Sequence, residues 1–288
     1  SFVPVEKHYE CVTQQADLER WITQIHSAPL TCVDTETTGL DPLKASLVGI
    51  SLSVEPGVAC YIPLAHTTNE DQLNKADVLN QLKPWLESEI HKKVGQNLKY
   101  DFHIFANEGI RLQGILHDTL LQSYVLESHR SHDMDSLASR HLGEKTISYE
   151  EVCGKGVHQI TFDQVSLETA TRYAAEDADI TLRLHQVMYP AIEADSKLFK
   201  IYQELAGQPF NIQSPKQIAE ILFGKLELPV VKKTPSGAPS TDEEVLQKLA
   251  ENYPLPARIL DYRSLAKLQS TYIEKLPRMV HPQTGRVH

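Results

Sequence analysis

The chain has 288 residues, enough for a sizeable core and for one or two domains. Hydrophobic residues make up 41% and charged residues 23%, the composition of a soluble globular protein, and no apolar run approaches membrane-spanning length. The formal net charge of −10 argues against nonspecific coating of nucleic acid.

The charge is uneven. Residues 201–288 hold 11 Lys/Arg against 9 Asp/Glu, and the first 200 hold 17 against 29. An acidic module, whose surplus carboxylates can serve cations, precedes a mildly basic one. The opening "SFVPVEKHYE" does not read as a signal peptide. Cys11, Cys32, Cys60 and Cys153 form no CxxC pair, and Cys32 and Cys60 fall inside predicted strands. Buried free thiols in a reducing cytoplasm are expected, with no membrane association.

Residues 31–63 predict three strands. "LTCVDT" is an apolar run, "SLVGISLSV" is rich in β-branched residues, and "GVACYIPLA" follows a Pro56-Gly57 turn. The intervals are too short for crossover helices, so antiparallel neighbours are expected. "DQLNKADVLNQLKPWLES" has helical spacing through Leu73, Val78, Leu79 and Leu82. "KKVGQN" reads as a short strand, and "KYDFHIFANEGI" as a helix ended by Gly109. "DTLLQSYVLES", "DMDSLASRHLG" and "FDQVSLETATRYAAEDADITLRLHQVMYPAIEAD" read as further helices. Antiparallel strands followed by alternating helix and strand predict an α/β fold, a mixed sheet with flanking helices of the ribonuclease H-like pattern.

The remainder reads as a smaller, mostly helical part. "NIQSPKQIAEILFGKL" has Ser214 as N-cap, Pro215 at the first helical position and Gly224 near its end. "VKKTPSGAPS" is a loop, and Thr241 with Glu244 reads as a capping box for "DEEVLQKLAEN". "PARILDYRSLAKLQSTYIEKL" reads as a long amphipathic helix. The expected boundary lies near 195–210, giving domains 1–200 and 201–288.

Four acids recur at predicted element ends: Asp34 and Glu36 in "VDTETTGL", Asp101 in "NLKYD", and Asp177 in "YAAED". A strand alternates faces, so Asp34 and Glu36 point the same way if the strand persists through Thr35. Two like charges that close repel unless a cation sits between them. Hard oxygen ligands suit Mg²⁺ or Mn²⁺. "DTE" alone reads equally as a strand running into an acidic turn. Tyr173 precedes Asp177 by one helical turn, so the two share a face. A phenol there could hold an attacking water, or could be a core tyrosine beside a surface acid. The 13 histidines include no HxxxH or HExxH pair, and His132 is the one expected to pack near the site.

"CVDTETTGLD", "VGQNLKYDFHIFANEGI", "HDMDSLASRHLG" and "RYAAEDADITLRLH" together resemble the 3′→5′ proofreading exonuclease domain of the bacterial DNA polymerase I family (family A), the tyrosine branch of the DEDD exonucleases. The likeness covers essentially residues 1–200. "KKTPSGAPSTDEEVLQKLA", "YPLPARILDYRSLAKLQSTYIEKLP" and "HPQTGRVH" resemble part of that family's polymerase thumb.

The resemblance implies that Asp34, Glu36 and Asp177 ligate a first divalent cation. Asp34 would bridge to a second, which Asp101 holds largely through water; Mg²⁺ is the expected metal, with Mn²⁺ as an alternative. Tyr173 and Glu36 would orient the nucleophilic water, Leu40 would wedge against the terminal bases, and Tyr149 would stack where the family usually has Phe. Gln96 and Asn97 would contact the substrate strand. Lys232, Lys233, Arg263 and Lys267 of the thumb would touch DNA backbone. The implied partners are a single-stranded DNA 3′ end, duplex DNA at the thumb, and the palm and fingers of a parent polymerase of replication and repair in the bacterial cytoplasm.

The sequence departs from the family pattern in three places. Ser131 stands where the family usually has Arg before "HDMDSL", so that a phosphate contact is either weakened or supplied by Arg130. A segment of the thumb base is missing near 202–204. The chain stops at "TGRVH", before the palm and fingers, so it carries no site for nucleotide addition. Two other readings share the residues: a catalytically silent DNA-binding platform, which the intact acid set disfavours, and a ribonuclease D-like exoribonuclease, which the thumb-like segment disfavours.

Overall fold

The computed structural model describes residues 1–127, 130–205, 214–225, 227–253, 255–257, 259–260 and 263. They fall in two compact units, Ser1–Leu126 with Arg130–Pro209, and Glu127–His129 with Phe210–His288.

The first unit is built on a six-stranded sheet. β1 (His8–Cys11) and helix α1 (Gln15–Ser27) lead into β2 (Thr31–Thr37), then β3 (Leu47–Glu55) and β4 (Val58–Pro63). After α2 (Lys75–Leu86) come β5 (Lys93–Gly95), α3 (Leu98–Asn107) and β6 (Ile115–Asp118). The sheet order is β1-β4-β3-β2-β5-β6. β2–β3 and β3–β4 are antiparallel, as their short connections require. The pairs β1–β4, β2–β5 and β5–β6 are parallel, so the sheet is mixed.

Helices cover both faces. On one, α1, α2 and α3 bury Leu18, Trp21, Ile25, Leu82, Trp85, Ile104 and Phe105 against Val33, Ile50 and Leu52 of the sheet. The other is covered by α7 (Leu167–Glu193), which contacts β1 through β5. α7 lies close because its facing residues Ala170, Ala174 and Ala178 are small, and all three are fully buried. Three α-helices lie between β6 and α7, namely α4 (Thr119–Glu127), α5 (Met134–Leu142) and α6 (Tyr149–Cys153), and α8 (Ser196–Leu205) follows.

The structure corrects several boundaries. α2 begins at Lys75, where Asn74 accepts from the Asp77 amide at 3.1 Å, four residues after the predicted start. "FDQ" forms its own 3-10 turn, and α7 starts only after Ser166, which accepts from the Thr169 amide. Asp177 therefore sits in the middle of a 27-residue helix, not at an element end. β1, α1, β6, α6 and α8 are additions to the predicted elements. Cys32, Cys60 and Cys153 are buried, Cys11 is half-buried, and all are free.

In the second unit, α9 (Pro215–Ala219) runs into a π-helical turn, Glu220–Lys225. "VKKTPSGAPS" folds back on itself, with a Lys233–Pro239 bridge and Gly237 in the left-handed region at φ 87°. α10 (Glu243–Ala250) is capped by Asp242, whose carboxylate accepts from the Val245 amide at 2.9 Å. The expected cap at Thr241 is thus displaced by one residue. Thr241 is buried, and its carbonyl accepts from Arg263 Nη1 at 2.6 Å. Most of the predicted long helix after 255 lies outside the described residues. Among the described residues, no helix is long and apolar enough to cross a membrane.

Candidate active site

β2 persists through Glu36, so Asp34 and Glu36 do share a face, the one that carries Cys32 against α7. α7 brings Asp177 to the same place. One ligand oxygen from each of Asp34, Glu36 and Asp177 lies within 4.8 Å of the others. They floor an open cleft of about 640 Å³, lined also by Thr37, Gly39, Leu40, Tyr100, Tyr149, Ile160 and Tyr173. No lysine or arginine appears in that lining among the described residues.

The electrostatics follow from burial and like charge. Asp34 is pushed up to about 8, first by burial and then by Asp177, with the Thr35 backbone hydrogen bond opposing. Burial and the charges of Asp34, Asp177 and Asp101 hold the Glu36 carboxyl well above its usual range. Asp177 is raised by burial and by Glu176 and Asp135, while a hydrogen bond from Tyr173 pulls it back down. Three converging carboxylates with no cationic side chain among them form an oxygen donor set that fits a hard divalent cation.

Asp101 stands apart from this trio. It is buried in the first turn of α3, and its Oδ1 accepts from the Thr35 amide at 2.9 Å and from Thr35 Oγ1 at 2.5 Å. Thr35 faces the opposite side of β2 from Asp34 and Glu36, so Asp101 meets the strand from the α3 side.

The aromatic wall is layered. The Tyr149 and Tyr173 rings meet edge-on at 6.1 Å between centroids, and Phe162 backs Tyr173 at 5.8 Å. Behind Phe162 lies Tyr61, at 6.1 Å. Its hydroxyl donates to His66 Nε2 at 2.7 Å, since His66 Nδ1 donates to the Val165 carbonyl at 3.0 Å. Tyr61 crosses directly over Gly49, where a Cβ would come within 2.1 Å of the phenol oxygen. Gly49 pairs with Glu36 across the β2–β3 ladder.

The β2–β3 loop holds Leu40 out into solvent, 74% exposed. It does so because α3 grips the loop. Tyr100 Oη donates to the Gly39 carbonyl at 2.6 Å and pairs with Thr37, and Asn107 Nδ2 donates to the Pro42 carbonyl at 2.7 Å.

Among the expected site residues, Asp34, Glu36, Leu40, Tyr149, Tyr173 and Asp177 line one cleft. Others do not. Gln96 turns inward, donating to the His132 carbonyl at 3.2 Å and accepting from Thr119. Asn97 is exposed, with a left-handed backbone at φ 61°. Arg130 is exposed outside the cleft lining. His132 is buried, stacked on Tyr124 at 3.7 Å. In the second unit Lys232 pairs with Asp242 at 3.1 Å and Glu244 at 3.7 Å, and Arg263 is tied to Thr241. Lys233 sits in the small bridge, and Lys267 lies outside the described residues.

Sequence reasoning missed Tyr100, Gln159, Ile160 and Thr161 in the cleft lining. Tyr100 had a signal, its place directly before Asp101. The loop had another, exposed apolar Val157 and Ile160 in a segment carrying Gly154 and Gly156.

Comparison with known proteins shows the family of the chain. The family model for 3′-5′ exonuclease matches residues 9–193, and that for DNA polymerase family A matches residues 187–288. DNA polymerase I of Pseudomonas aeruginosa is 42% identical over 99% of this chain and 37% of its own length. That of Rhizobium leguminosarum is 36% identical over 97% of this chain and 34% of its own length. The chain thus spans about a third of the length of these relatives. The Pseudomonas alignment is 336 positions long against 288 residues here, so at least 48 of its positions have no counterpart in this chain. Brucella melitensis NrnC shares the fold with a TM-score of 0.50 at 17% identity, covering 80% of this chain and 99% of its own. The cleft falls wholly within the first family match, and the chain belongs to the 3′-5′ exonuclease family, in the form found in DNA polymerase I.

Proposed function

We propose that the chain removes nucleotides from the 3′ end of single-stranded DNA by hydrolysing the terminal phosphodiester, with two divalent cations, Mg²⁺ or Mn²⁺, held by Asp34, Glu36, Asp101 and Asp177. The observation that carries this reading is the convergence of three carboxylates within 4.8 Å in a cleft lined by no cationic side chain. Bound cations would neutralise the phosphate, lower the pKa of the attacking water and stabilise the leaving oxygen.

The remaining work falls to side chains. Glu36 and the Tyr173 hydroxyl orient the attacking water; Tyr173 is held neutral because burial and the charge of Asp177 raise its pKa. Exposed Leu40 abuts the terminal base, and Tyr149 stacks on a base at the cleft wall. Asn97 follows the strand backbone and Arg130 takes a phosphate, while Gln96, held inward by the His132 carbonyl and Thr119, supports the turn before Asn97. The polymerase match at 187–288 and the greater length of the relatives support a wider context. In it the chain is the proofreading part of a longer cytoplasmic DNA polymerase, whose palm and fingers extend it. There the basic residues Lys232, Lys233 and Lys267 would contact duplex DNA through its phosphates, with Arg263 holding the Thr241 carbonyl beside them, and the relatives' extra positions fall near 202–204.

The test is release of mononucleotides from a 3′-labelled oligodeoxynucleotide with Mg²⁺, run beside the RNA of the same sequence. Release from DNA that is abolished in Asp34→Ala is expected. No release by the wild type, undiminished release by Asp34→Ala, or preference for RNA would sink the proposal.

A further inference from the structure

Asp118, the last residue of β6, uses its carboxylate on another element. Its Oδ1 accepts from the amides of Asn97 at 3.0 Å and Leu120 at 2.9 Å, and its Oδ2 accepts from the Leu98 amide at 2.8 Å. Asn97 and Leu98 open α3, and Asn97, the formal N-cap, makes no side-chain cap of its own. The cap of α3 is therefore supplied by a strand 20 residues later in the chain. It holds Asn97 in the left-handed conformation (φ 61°, ψ 55°) that turns the chain from β5 into the helix.

We propose that Asp118 is a positioning residue of the exonuclease site, one that sets the start of α3 and with it the place of Asp101. Asp101 lies three residues after Leu98, inside the capped turn. α3 is thereby pinned from two strands, by Asp118 on β6 and by Thr35 on β2. There is no slack between the pins. Gly95 pairs with Asp118, and a Cβ at Gly95 would meet Leu98 Cδ2 at 2.5 Å and the Val33 carbonyl at 3.0 Å. Thr119 and Gln96 add a side-chain bond across the same junction. Removing the carboxylate strips three amides, those of Asn97, Leu98 and Leu120, of their acceptor and frees the first turn to unwind. A displacement of about 1 Å at a catalytic group costs on the order of 100-fold in rate.

The inference rests on the reading that Asp101 belongs to the active site, and the variants separate the two claims. Asp118→Asn keeps the shape but replaces one of the two accepting oxygens with an NH2 group, leaving at least one of the three amides without an acceptor. Steady-state nucleotide release would be measured for wild type, Asp118→Asn, Asp101→Ala and Ile25→Ala, the last a buried destabilising change in α1 outside the cleft lining. Amide hydrogen exchange of segment 97–101 would be measured alongside. Asp118→Asn is expected to lower kcat roughly 10- to 100-fold with KM for the oligonucleotide within about threefold. Exchange at 97–101 should quicken while that of α7 stays as in wild type, and Ile25→Ala should keep its kcat. A kcat within about twofold of wild type in Asp118→Asn, beside an inactive Asp101→Ala, overturns the inference and leaves the active-site reading standing. So does a loss of kcat with exchange at 97–101 unmoved, or an equal loss in Ile25→Ala. Full activity in Asp101→Ala overturns the reading on which the inference rests.

Discussion

Thr35 gives both of its donors, backbone N–H and side-chain Oγ1, to a single oxygen of Asp101, at 2.9 and 2.5 Å. The strand that carries Asp34 and Glu36 on one face thus fixes a fourth carboxylate with the residue between them. One oxygen of Asp101 is committed to the strand. Thr35→Val keeps volume and backbone bond but removes Oγ1, and a hydrogen bond to a charged group is worth about 1.5–3 kcal/mol. Nucleotide release should fall about 10-fold or more in Thr35→Val and hold in Thr35→Ser. Equal rates for the valine and serine variants would show that Oγ1 is idle.

The acid cluster should destabilise the metal-free protein. Asp34, pushed up to about 8, binds its proton more tightly folded than unfolded. Stability is then lost as pH rises from about 4 through about 8, and the full cost stands above that window. At pH 9 in EDTA, Asp34→Asn should melt several degrees above wild type. With millimolar Mg²⁺ the order should reverse, because a ligand that binds only the native state adds RT ln(1 + [L]/Kd) to wild type and little to the variant. Thermal scans in both buffers check this, and an unchanged order would speak against cation binding at Asp34.

A second pH dependence lies away from the cleft. His117 and His185 are buried with ring centroids 4.2 Å apart, and burial lowers them to about 3 and about 4, the His185 charge adding to the first. Tyr202 Oη donates to His117 Nδ1 at 2.8 Å and accepts from Gln122 Nε2 at 2.9 Å, and Gln122 Nε2 also reaches His185 Nδ1 at 2.8 Å. Protonation would place an N–H against each donor. The unfolded chain takes up these protons near pH 6.5, so the stabilisation stands above that pH and is lost as pH falls toward 4 and 3. The slope should approach about 1.4 kcal/mol per pH unit for each histidine. His185→Gln, which keeps an acceptor for Gln122, should flatten it in urea titrations between pH 6.5 and 4.

Gly49→Ala should be costly although alanine is small. Its Cβ would stand 2.1 Å from the Tyr61 hydroxyl, forcing the ring off His66 and away from Phe162, which backs Tyr173. Overpacking of this kind costs about 1–3 kcal/mol. Urea denaturation should show that loss, and kcat should fall with it if the Phe162–Tyr173 contact carries the displacement into the cleft.

The sequence made β2, α3 and α7 legible for physical reasons. Two acids at a spacing of two must share a strand face, and Tyr173 and Asp177 at a spacing of four must share a helix face. Asp177, counted among acids at element ends, lies within the stretch "FDQVSLETATRYAAEDADITLRLHQVMYPAIEAD" that itself reads as one helix. In three dimensions the alanines are what let α7 press on the sheet and carry Asp177 mid-helix into the cleft. β1 and β6 are four residues each, too short for alternation to stand out. Thr241 and Asp242 are equally plausible caps in sequence, and only the burial of Thr241 separates them. The Thr35–Asp101, Asp118–Leu98 and Gly49–Tyr61 contacts depend on strand register, which periodicity does not encode.

Leu40 gives the sharpest test of how substrate is held. An exposed leucine contributes little to stability, so Leu40→Ala should leave the melting temperature within about 1 °C of wild type. If Leu40 packs against the terminal base, the lost contact is an apolar burial worth about 1–2 kcal/mol, or roughly a 5- to 30-fold rise in KM for single-stranded DNA. Asn107→Ala should act on the same contact without touching substrate, because it releases the Pro42 carbonyl and with it one end of the loop. Its effect should be smaller, and nearly absent when combined with Leu40→Ala, since a clamp matters only while the leucine it holds is present. Additive losses in the double variant would mean that Asn107 serves some other end, and an unchanged KM in Leu40→Ala would remove the wedge from the mechanism.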